Sequence, residues 1–302
     1  NAIVGSQIRA AVVQGDRYSY VHLVRPWSEP AKLDDPADLP VTRGRRVAWS
    51  LSGEFLAVGC DGSPFLIVYQ RTGTTFTKTP DPSDLPPGVV TEPAWSPSGD
   101  FLAVASSTTP FVHVYQRAGV TLTKIADPGT LPANVGLGCA WSPNDEVLAV
   151  VHIVSPYLTV YQRSGTTLTK LADPVTLPTG VGRGCAWSPN GEFLAVAHDT
   201  TPFLAVYQRA GDVLTKVANP ATLPTAAATG CAWSADGRYL AVSHTTSPFI
   251  TVYERDETTF TKLADPAELL TSHARSVAWS VTRSVAWSVT RSVTWSVTRS
   301  VT

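Results

Sequence analysis

A unit of 46 residues recurs along this chain without insertion or deletion, and no other feature constrains the fold as strongly. Its most constant part is the tripeptide Ala-Trp-Ser. The tryptophan of this tripeptide recurs at Trp49, Trp95, Trp141, Trp187, Trp233 and Trp279. A fixed period of this length is typical of repeat architectures, in which each unit buries its apolar faces against its neighbours.

The pattern inside one unit is that of short strands separated by turns. Residues 185–188 alternate large and small side chains and stop at a Pro-Asn-Gly turn signal. Residues 203–208 are apolar on both faces, as in strands that are covered on both sides. Residues 214–217 are more polar, which suits an outer edge. Together with the apolar strand at 193–198, these segments predict a four-stranded β-propeller blade.

We therefore predict an all-β fold, with a single β-propeller domain over residues 1–302. Helical repeats are disfavoured because each unit contains several Pro and Gly and no apolar run of period 3.6. The predicted antiparallel blades begin at residues 1, 47, 93, 139, 185 and 231, the first being degenerate. Residues 277–302 alternate strictly and predict an incomplete seventh blade. The alternative is six blades followed by a C-terminal β tail outside the ring.

The segments that begin at the tryptophans carry a family resemblance. They read WSPSGDFLAVA at 95–105, WSPNDEVLAVV at 141–151, WSPNGEFLAVA at 187–197 and WSADGRYLAVS at 233–243. These segments resemble WD-repeat-like β-propellers with Ser-Pro-Asp/Asn-Gly type repeats, similar to tandem arrays in bacterial and bacteriophage proteins. Tyr-Gln-Arg replaces the Trp-Asp dipeptide of the best-known members, and no Gly-His precedes the first strand. The buried Asp-His-Ser-Trp network of those members is therefore not carried over.

Composition argues against several classes of partner. Charged residues make up 16% of the chain and the net charge is −1, whereas a nucleic-acid surface needs a basic stripe. No apolar run approaches the 18 residues of a membrane span, so we predict no membrane insertion. We predict no cofactor and no metal site, because no Cys-x-x-Cys spacing exists. The cysteines are predicted to be free, buried thiols, and they are Cys60, Cys139, Cys185 and Cys231.

Three histidines share one blade position, at the end of the second strand. A single metal ion cannot bind two of them at about 2.1 Å when blades are spaced at about 10 Å. One interpretation is that each hydrogen-bonds within its own blade to the following Ser/Thr loop. The other is a candidate partner-contact rim, formed by loops that share a face with the Leu-Pro connections. This rim consists of His152, His198, His244, Asp61 and Asp199. Contact through it is predicted to weaken below about pH 6, because protonated imidazoles add positive charge.

The six tryptophans lie between Ala and Ser on the innermost strand, next to a blade face. We predict that they are structural residues of the blade core, since buried aromatic rings hold adjacent blades together. The alternative is that they stack on sugars.

The sequence contains no nucleophile elbow, no phosphate-binding glycine loop and no His-Glu metal motif. Nearly identical blades also argue against catalysis, because an active site usually breaks a repeat at its loops. We predict a protein that is not an enzyme but an interaction module, a structural or adhesion component of a virion or extracellular assembly. Its partner is a protein or a cell surface; a cytoplasmic location stays open. The alternatives are a multivalent carbohydrate-binding lectin, whose partner is a glycan, and a propeller hydrolase or lactonase.

Overall fold

The computed structural model describes residues 8–14, 17–23, 33–265, 274–279, 285–289 and 294–297. Within these residues every regular element is a β-strand. The chain divides into two compact units, Asn1–Asp35 and Pro36–Thr302, and each is described by itself. That one domain spans residues 1–302 stays a prediction.

The first unit contains one antiparallel pair of strands. Strand β1 (Ile8–Gln14) pairs with β2 (Arg17–Leu23) from Ile8 opposite Leu23 to Gln14 opposite Arg17. The remainder of the predicted first blade, up to residue 32, lies outside the described residues.

The second unit contains five four-stranded antiparallel sheets, which we number blades 2 to 6 after their place on the 46-residue frame. Blade 2 consists of β3 (Gly44–Trp49), β4 (Phe55–Cys60), β5 (Leu66–Thr72) and β6 (Thr75–Lys78). The corresponding strands of blades 3 and 4 are β7 (Val90–Trp95), β8 (Phe101–Ser106), β9 (Val112–Ala118), β10 (Thr121–Lys124), β11 (Gly136–Trp141), β12 (Val147–His152), β13 (Leu158–Ser164) and β14 (Thr167–Lys170). Those of blades 5 and 6 are β15 (Gly182–Trp187), β16 (Phe193–His198), β17 (Leu204–Ala210), β18 (Val213–Lys216), β19 (Ala228–Trp233), β20 (Tyr239–His244), β21 (Ile250–Asp256) and β22 (Thr259–Lys262).

A three-stranded sheet follows as blade 7, with β23 (Ala274–Trp279), β24 (Val285–Val289) and β25 (Thr294–Val297) in sequence order. The structure therefore confirms the predicted fold class, an all-β propeller with an incomplete last blade. The innermost strands begin three residues earlier than predicted. In blade 5, Gly182 pairs with His198 and the register shifts before Gly184, so a bulge lengthens the strand.

The core lies between blades rather than inside one sheet. Every residue of β16 is buried, which is why this strand is apolar on both faces. One face of β12 and β13 packs against one face of β16 in a continuous apolar cluster. The cluster from blade 4 to blade 5 includes Val147, Ala149, Val151, Leu158, Leu194 and Val196 together with Trp187.

The tryptophans close these interfaces. Trp95, Trp141, Trp187 and Trp233 are buried, at 6% to 8% exposure. The indole Nε1 of Trp187 donates a hydrogen bond of 3.2 Å to the carbonyl of Ala140 on the preceding blade, and Trp233 and Trp279 make the same contact. Trp49 differs, because it is 46% exposed and its ring contacts are Phe76 and Arg71 of its own blade. Trp49 is therefore not a buried core residue.

The Tyr-Gln-Arg sequence at the third strand also has a structural role. The hydroxyl of Tyr161 donates to the carbonyl of Thr130, at 2.9 Å, and thereby fixes the long connection. Arg163 Nε donates to the Asp145 carbonyl at 2.9 Å, and its guanidinium lies over Phe101 of the preceding blade at 4.3 Å. Arg163 Nη1 also donates to the Gly165 carbonyl at 2.8 Å. The arginine therefore holds the turns between first and second strands and between third and fourth strands, at the opposite end of the strands from the loops described below.

Replacing Trp187 by Ala should lower the free energy of unfolding by about 3 to 5 kcal/mol, because the cavity opens between two packed blades. Replacing the half-exposed Trp49 by Ala is the matched control and should cost less than about 2 kcal/mol. Guanidinium unfolding followed by far-ultraviolet circular dichroism measures both values. Equal losses would contradict the assignment of Trp187 to the interface.

Candidate functional site

The loops between second and third strands have the same backbone in all five four-stranded blades. Each contains a cis peptide bond before proline, followed by an aromatic residue in the left-handed region, with φ between 54° and 68°. The amide of the aromatic residue donates to the carbonyl three residues earlier, at 2.6 to 2.8 Å. Proline at the third position of such a turn is typical of type VI. We call the aromatic residues the aromatic rim; they are Phe65, Phe111, Tyr157, Phe203 and Phe249.

A bulky side chain at positive φ is uncommon and is held in place by its surroundings. The carbonyl of each rim residue accepts a hydrogen bond of 2.7 to 3.0 Å from the last amide of the second strand. The rings of Phe65 and Phe203 pack on the clusters between their own blade and the next. All five rim residues are half-buried, so part of each remains in contact with solvent.

The next blade approaches closely at the rim. A Cβ atom at Gly182 would lie 2.8 Å from the carbonyl oxygen of Tyr157 and 2.6 Å from the Cβ of Val151. Glycine at this position therefore allows the innermost strand of blade 5 to pack directly under the rim residue of blade 4. The backbone of the rim is thus part of the blade interface, which makes it rigid.

The Leu-Pro connections share a face with these loops, as the sequence predicted. In blade 5 the Val181 amide donates to Asp199 Oδ1 at 3.0 Å, and Thr179 Oγ1 donates to the Thr201 carbonyl at 2.8 Å. In blade 2 the Gly62 amide donates to Thr42 Oγ1 at 3.1 Å. We call the combined surface the loop face; it consists of the five loops at 61–65, 107–111, 153–157, 199–203 and 245–249 with the connections bonded to them.

Both predicted rim carboxylates lie on the loop face and are paired with arginines. Asp61 accepts from Arg43 at 2.7 Å and also contacts Arg45. The hydrogen bond from Arg45 is the main reason why the pKa of Asp61 is lowered. Asp199 accepts from Arg183 at 2.8 Å. The Asp199 pair is neutral, whereas the two arginines at Asp61 leave one extra positive charge at blade 2.

The predicted histidine rim is wrong. His152, His198 and His244 are fully buried, because they end the second strand where it is still paired with the innermost strand. His152 Nε2 lies 2.9 Å from Thr159 Oγ1 of the third strand, and His244 Nε2 lies 3.0 Å from Thr251 Oγ1. The hydrogen-bond partners therefore include the third strand of the same blade, and the imidazoles belong to the blade core.

In blade 5 the corresponding threonine is replaced by Ala205, and neither ring nitrogen of His198 has a hydrogen-bond partner among the described residues. The pKa of each of the three histidines is lowered, mainly because burial disfavours the charged imidazole. The pKa of His198 falls to about 4. These imidazoles are fully buried, so they add no charge to the surface of the loop face, and their lowered pKa opposes protonation. The predicted weakening of a contact below pH 6 therefore loses its physical cause.

The cysteines are free in the structure; Cys60 and Cys139 are buried, whereas Cys185 and Cys231 are half-buried. Desolvation raises the pKa of Cys231 to about 12 and that of the others above the usual value of 9.0. These thiols are therefore protonated and unreactive at neutral pH. In the described part of the chain, no group of three or more His, Cys, Asp or Glu is placed to hold a metal ion.

Sequence reasoning missed Glu92, which stands on the innermost strand of blade 3. On the frame its position is occupied by Gly138, Gly184 and Gly230 in the next three blades. Glu92 packs close to Gly138 of the next blade, since a Cβ atom added at Gly138 would lie 3.1 Å from Glu92 Oε2. Desolvation raises the pKa of Glu92 to about 7, and the charge of Arg46 partly offsets this rise. The signal in the sequence is that blade 3 has a charged residue at a repeat position where the next three blades have glycine.

The comparisons with known proteins fit this architecture. A model of the family described as "Lactonase, 7-bladed beta-propeller" matches residues 94–266, more than half of the chain. The chain belongs to this family. No curated protein matches its sequence. The part of the chain that the structure describes contains no helix with the length and apolarity needed to span a membrane.

A solved structure titled "Crystal Structure of Mitotic Checkpoint Complex" contains a chain with a similar fold. The TM-score is 0.67 at 16% sequence identity, over 97% of this chain and 86% of that chain. At that identity the likeness shows the fold alone. The seven-bladed propeller is thus shown, whereas the closer relation to Ser-Pro-Asp/Asn-Gly arrays stays a prediction.

Acidification should destabilise the fold through the buried histidines. The pKa of His198 is lowered from 6.5 to about 4, so the native state binds fewer protons than the unfolded state between these values. Its contribution to stability is complete above pH 6.5 and is lost as the pH falls through 6.5 towards 4. This loss amounts to about 3 kcal/mol. Denaturant unfolding at pH 7.5 and 4.5 measures it, and His198→Gln should reduce the difference. An unchanged difference would contradict this assignment.

Proposed function

We propose that this protein is a binding propeller without catalytic activity, whose loop face engages a partner as a structural or adhesion component of a virion or an extracellular assembly. The observation that carries the proposal is the aromatic rim. Each of the five four-stranded blades presents one half-buried aromatic side chain at the same loop position. Loops held by a rigid scaffold are where binding is usually found.

The rim suits binding on energetic grounds. An aromatic side chain supplies a large contact area and has few torsions to immobilise. The rim backbone is already fixed by two hydrogen bonds per blade, so little conformational entropy remains to be lost on association. The similar fold in a structure titled as a complex is in line with a role in assembly.

The opposite ends of the strands offer less surface to a partner. Their turns are short, and arginines such as Arg117 and Arg255 bond to the turn carbonyls of Gly99 and Gly237. Their guanidinium groups lie over Phe55 and Phe193 of the preceding blades. These charged groups are therefore used within the structure, which favours the loop face as the contact surface.

A triple variant tests the face. Phe111→Leu, Tyr157→Leu and Phe203→Leu keep apolar contacts with the core but remove three flat rings. Immobilised protein is exposed to an extract of cells and of their surface material, and the retained material is stained for protein and for carbohydrate. We expect the wild-type protein to retain a partner. The affinity of the triple variant for that partner should be at least about tenfold lower, a change in binding free energy of about 1.4 kcal/mol.

The matched control carries three substitutions on exposed turns at the opposite end of the strands, Asp100→Asn, Glu146→Gln and Glu192→Gln. It should bind as wild type does. Equal retention by all three proteins would contradict the loop face as the contact surface. Circular dichroism and the unfolding midpoint show that each variant is folded.

Lactone hydrolysis is a second candidate function, supported by the family name and by Glu92. A carboxyl group with a pKa of about 7 is about half ionised at neutral pH and can take a proton from a water molecule. The test is hydrolysis of γ- and δ-lactones by wild type and by Glu92→Gln. Turnover that this substitution lowers by about 100-fold or more, in a folded protein, would favour the enzyme. Turnover at the buffer rate would favour the binding module.

A further inference from the structure

We infer that the partner of the loop face is a neutral carbohydrate, bound at several equivalent positions with one aromatic ring per blade. This inference rests on the proposed function and adds the chemical class of the ligand. Three features of the five loops support it: their hydroxyl groups, their small number of charged residues and their regular repetition.

The first feature is a hydroxyl-bearing residue two positions before each rim residue. In all five blades the residue before the cis-proline is Ser or Thr, and the aromatic residue follows the proline. Each of these hydroxyl-bearing residues is exposed, and none of their side-chain hydroxyls forms a hydrogen bond among the described residues; they are Ser63, Thr109, Ser155, Thr201 and Ser247. A free hydroxyl can both donate and accept a hydrogen bond.

A flat ring with a free hydroxyl two residues away matches the chemistry of a sugar. One face of a pyranose consists of C–H groups, which pack on an aromatic ring, and its edge carries hydroxyl groups that need donors and acceptors. A rim with aliphatic side chains alone would not satisfy such an edge, and unpaired sugar hydroxyls would cost binding free energy.

The second feature is the charge of the five loops. Their only charged residues are Asp61 and Asp199, and arginines at 2.7 Å and 2.8 Å pair with both. In the loops of blades 3 to 6 an acidic or basic ligand would therefore find no free opposite charge, whereas Asp61 of blade 2 faces two arginines, Arg43 and Arg45, which leave one extra positive charge there. A neutral ligand with hydroxyl groups needs no opposite charge for binding.

The third feature is repetition. The rim residues recur every 46 residues with the same turn, so each blade offers the same small site. A protein partner usually contacts one central cluster of hot-spot residues. A ligand that itself repeats can occupy several equal sites, and each additional site raises the avidity without new contacts. Blade 4 differs in part, because Ile153 and Val154 are exposed there.

The test uses an array of immobilised neutral, sialylated and sulfated oligosaccharides at high and low density. We expect the folded wild-type chain to bind one class of neutral sugar at high density and to lose most binding at low density. Phe203→Leu and the double variant Phe111→Leu with Phe203→Leu should lower binding in steps of about tenfold per ring. Thr109→Val with Thr201→Val, which removes two hydroxyls at nearly constant shape, should also weaken binding.

Val213→Ala is the matched control, because Val213 lies on the outermost strand of blade 5 and is 62% exposed. It should bind as wild type does. Binding only to sialylated or sulfated sugars, binding unchanged in the ring variants, or absence of binding by folded protein would each overturn the carbohydrate inference.

The extract experiment separates this failure from failure of the proposed function. If the array stays empty while the ring variants lose a protease-sensitive partner, the partner is a protein and the loop face is still the contact surface. If neither experiment responds to the ring variants, both proposals fail.

Discussion

The burial of both faces of each blade against its neighbours is the constraint on which the rest of the structure depends. Strands such as β12 and β16 are apolar on both sides, so an isolated blade would expose two hydrophobic faces to water. Only the next blade removes that cost. The indole rings and their bonds to the preceding blade, such as Trp187 to Ala140, fix how adjacent blades meet.

The same constraint separates structural residues from those that are available for contact. Within one blade, the tyrosine fixes the connection, the arginine closes the turns at one end of the strands, and the histidine fills the interior. The rim aromatics differ because their backbone serves the fold while part of the ring stays in solvent. Packing between blades therefore leaves part of each rim ring uncovered.

The strands and the blade frame could be predicted from the sequence because alternation and two-sided apolarity report directly on burial. The histidines could not be placed, since His198 lies between an apolar strand and a polar loop. Its orientation depends on its pairing with Gly182 and on the hydrogen bond that its backbone amide donates to the Phe203 carbonyl. The rim was missed for a related reason. Nothing in the local sequence shows that Phe203 takes a left-handed conformation, which is associated mainly with glycine.

The interface between blades is heterologous, since the back of one blade always meets the front of the next. Corresponding residues form the apolar packing at the junctions from blade 2 to blade 6. Trp187, Trp233 and Trp279 also share the same indole hydrogen bond, which the buried Nε1 atoms of Trp95 and Trp141 do not make among the described residues. Such an interface does not discriminate between neighbours. Removal or duplication of a whole 46-residue unit would join two surfaces that share the same apolar packing, so recombination between the repeats of the gene can change the number of units while each new junction keeps that packing.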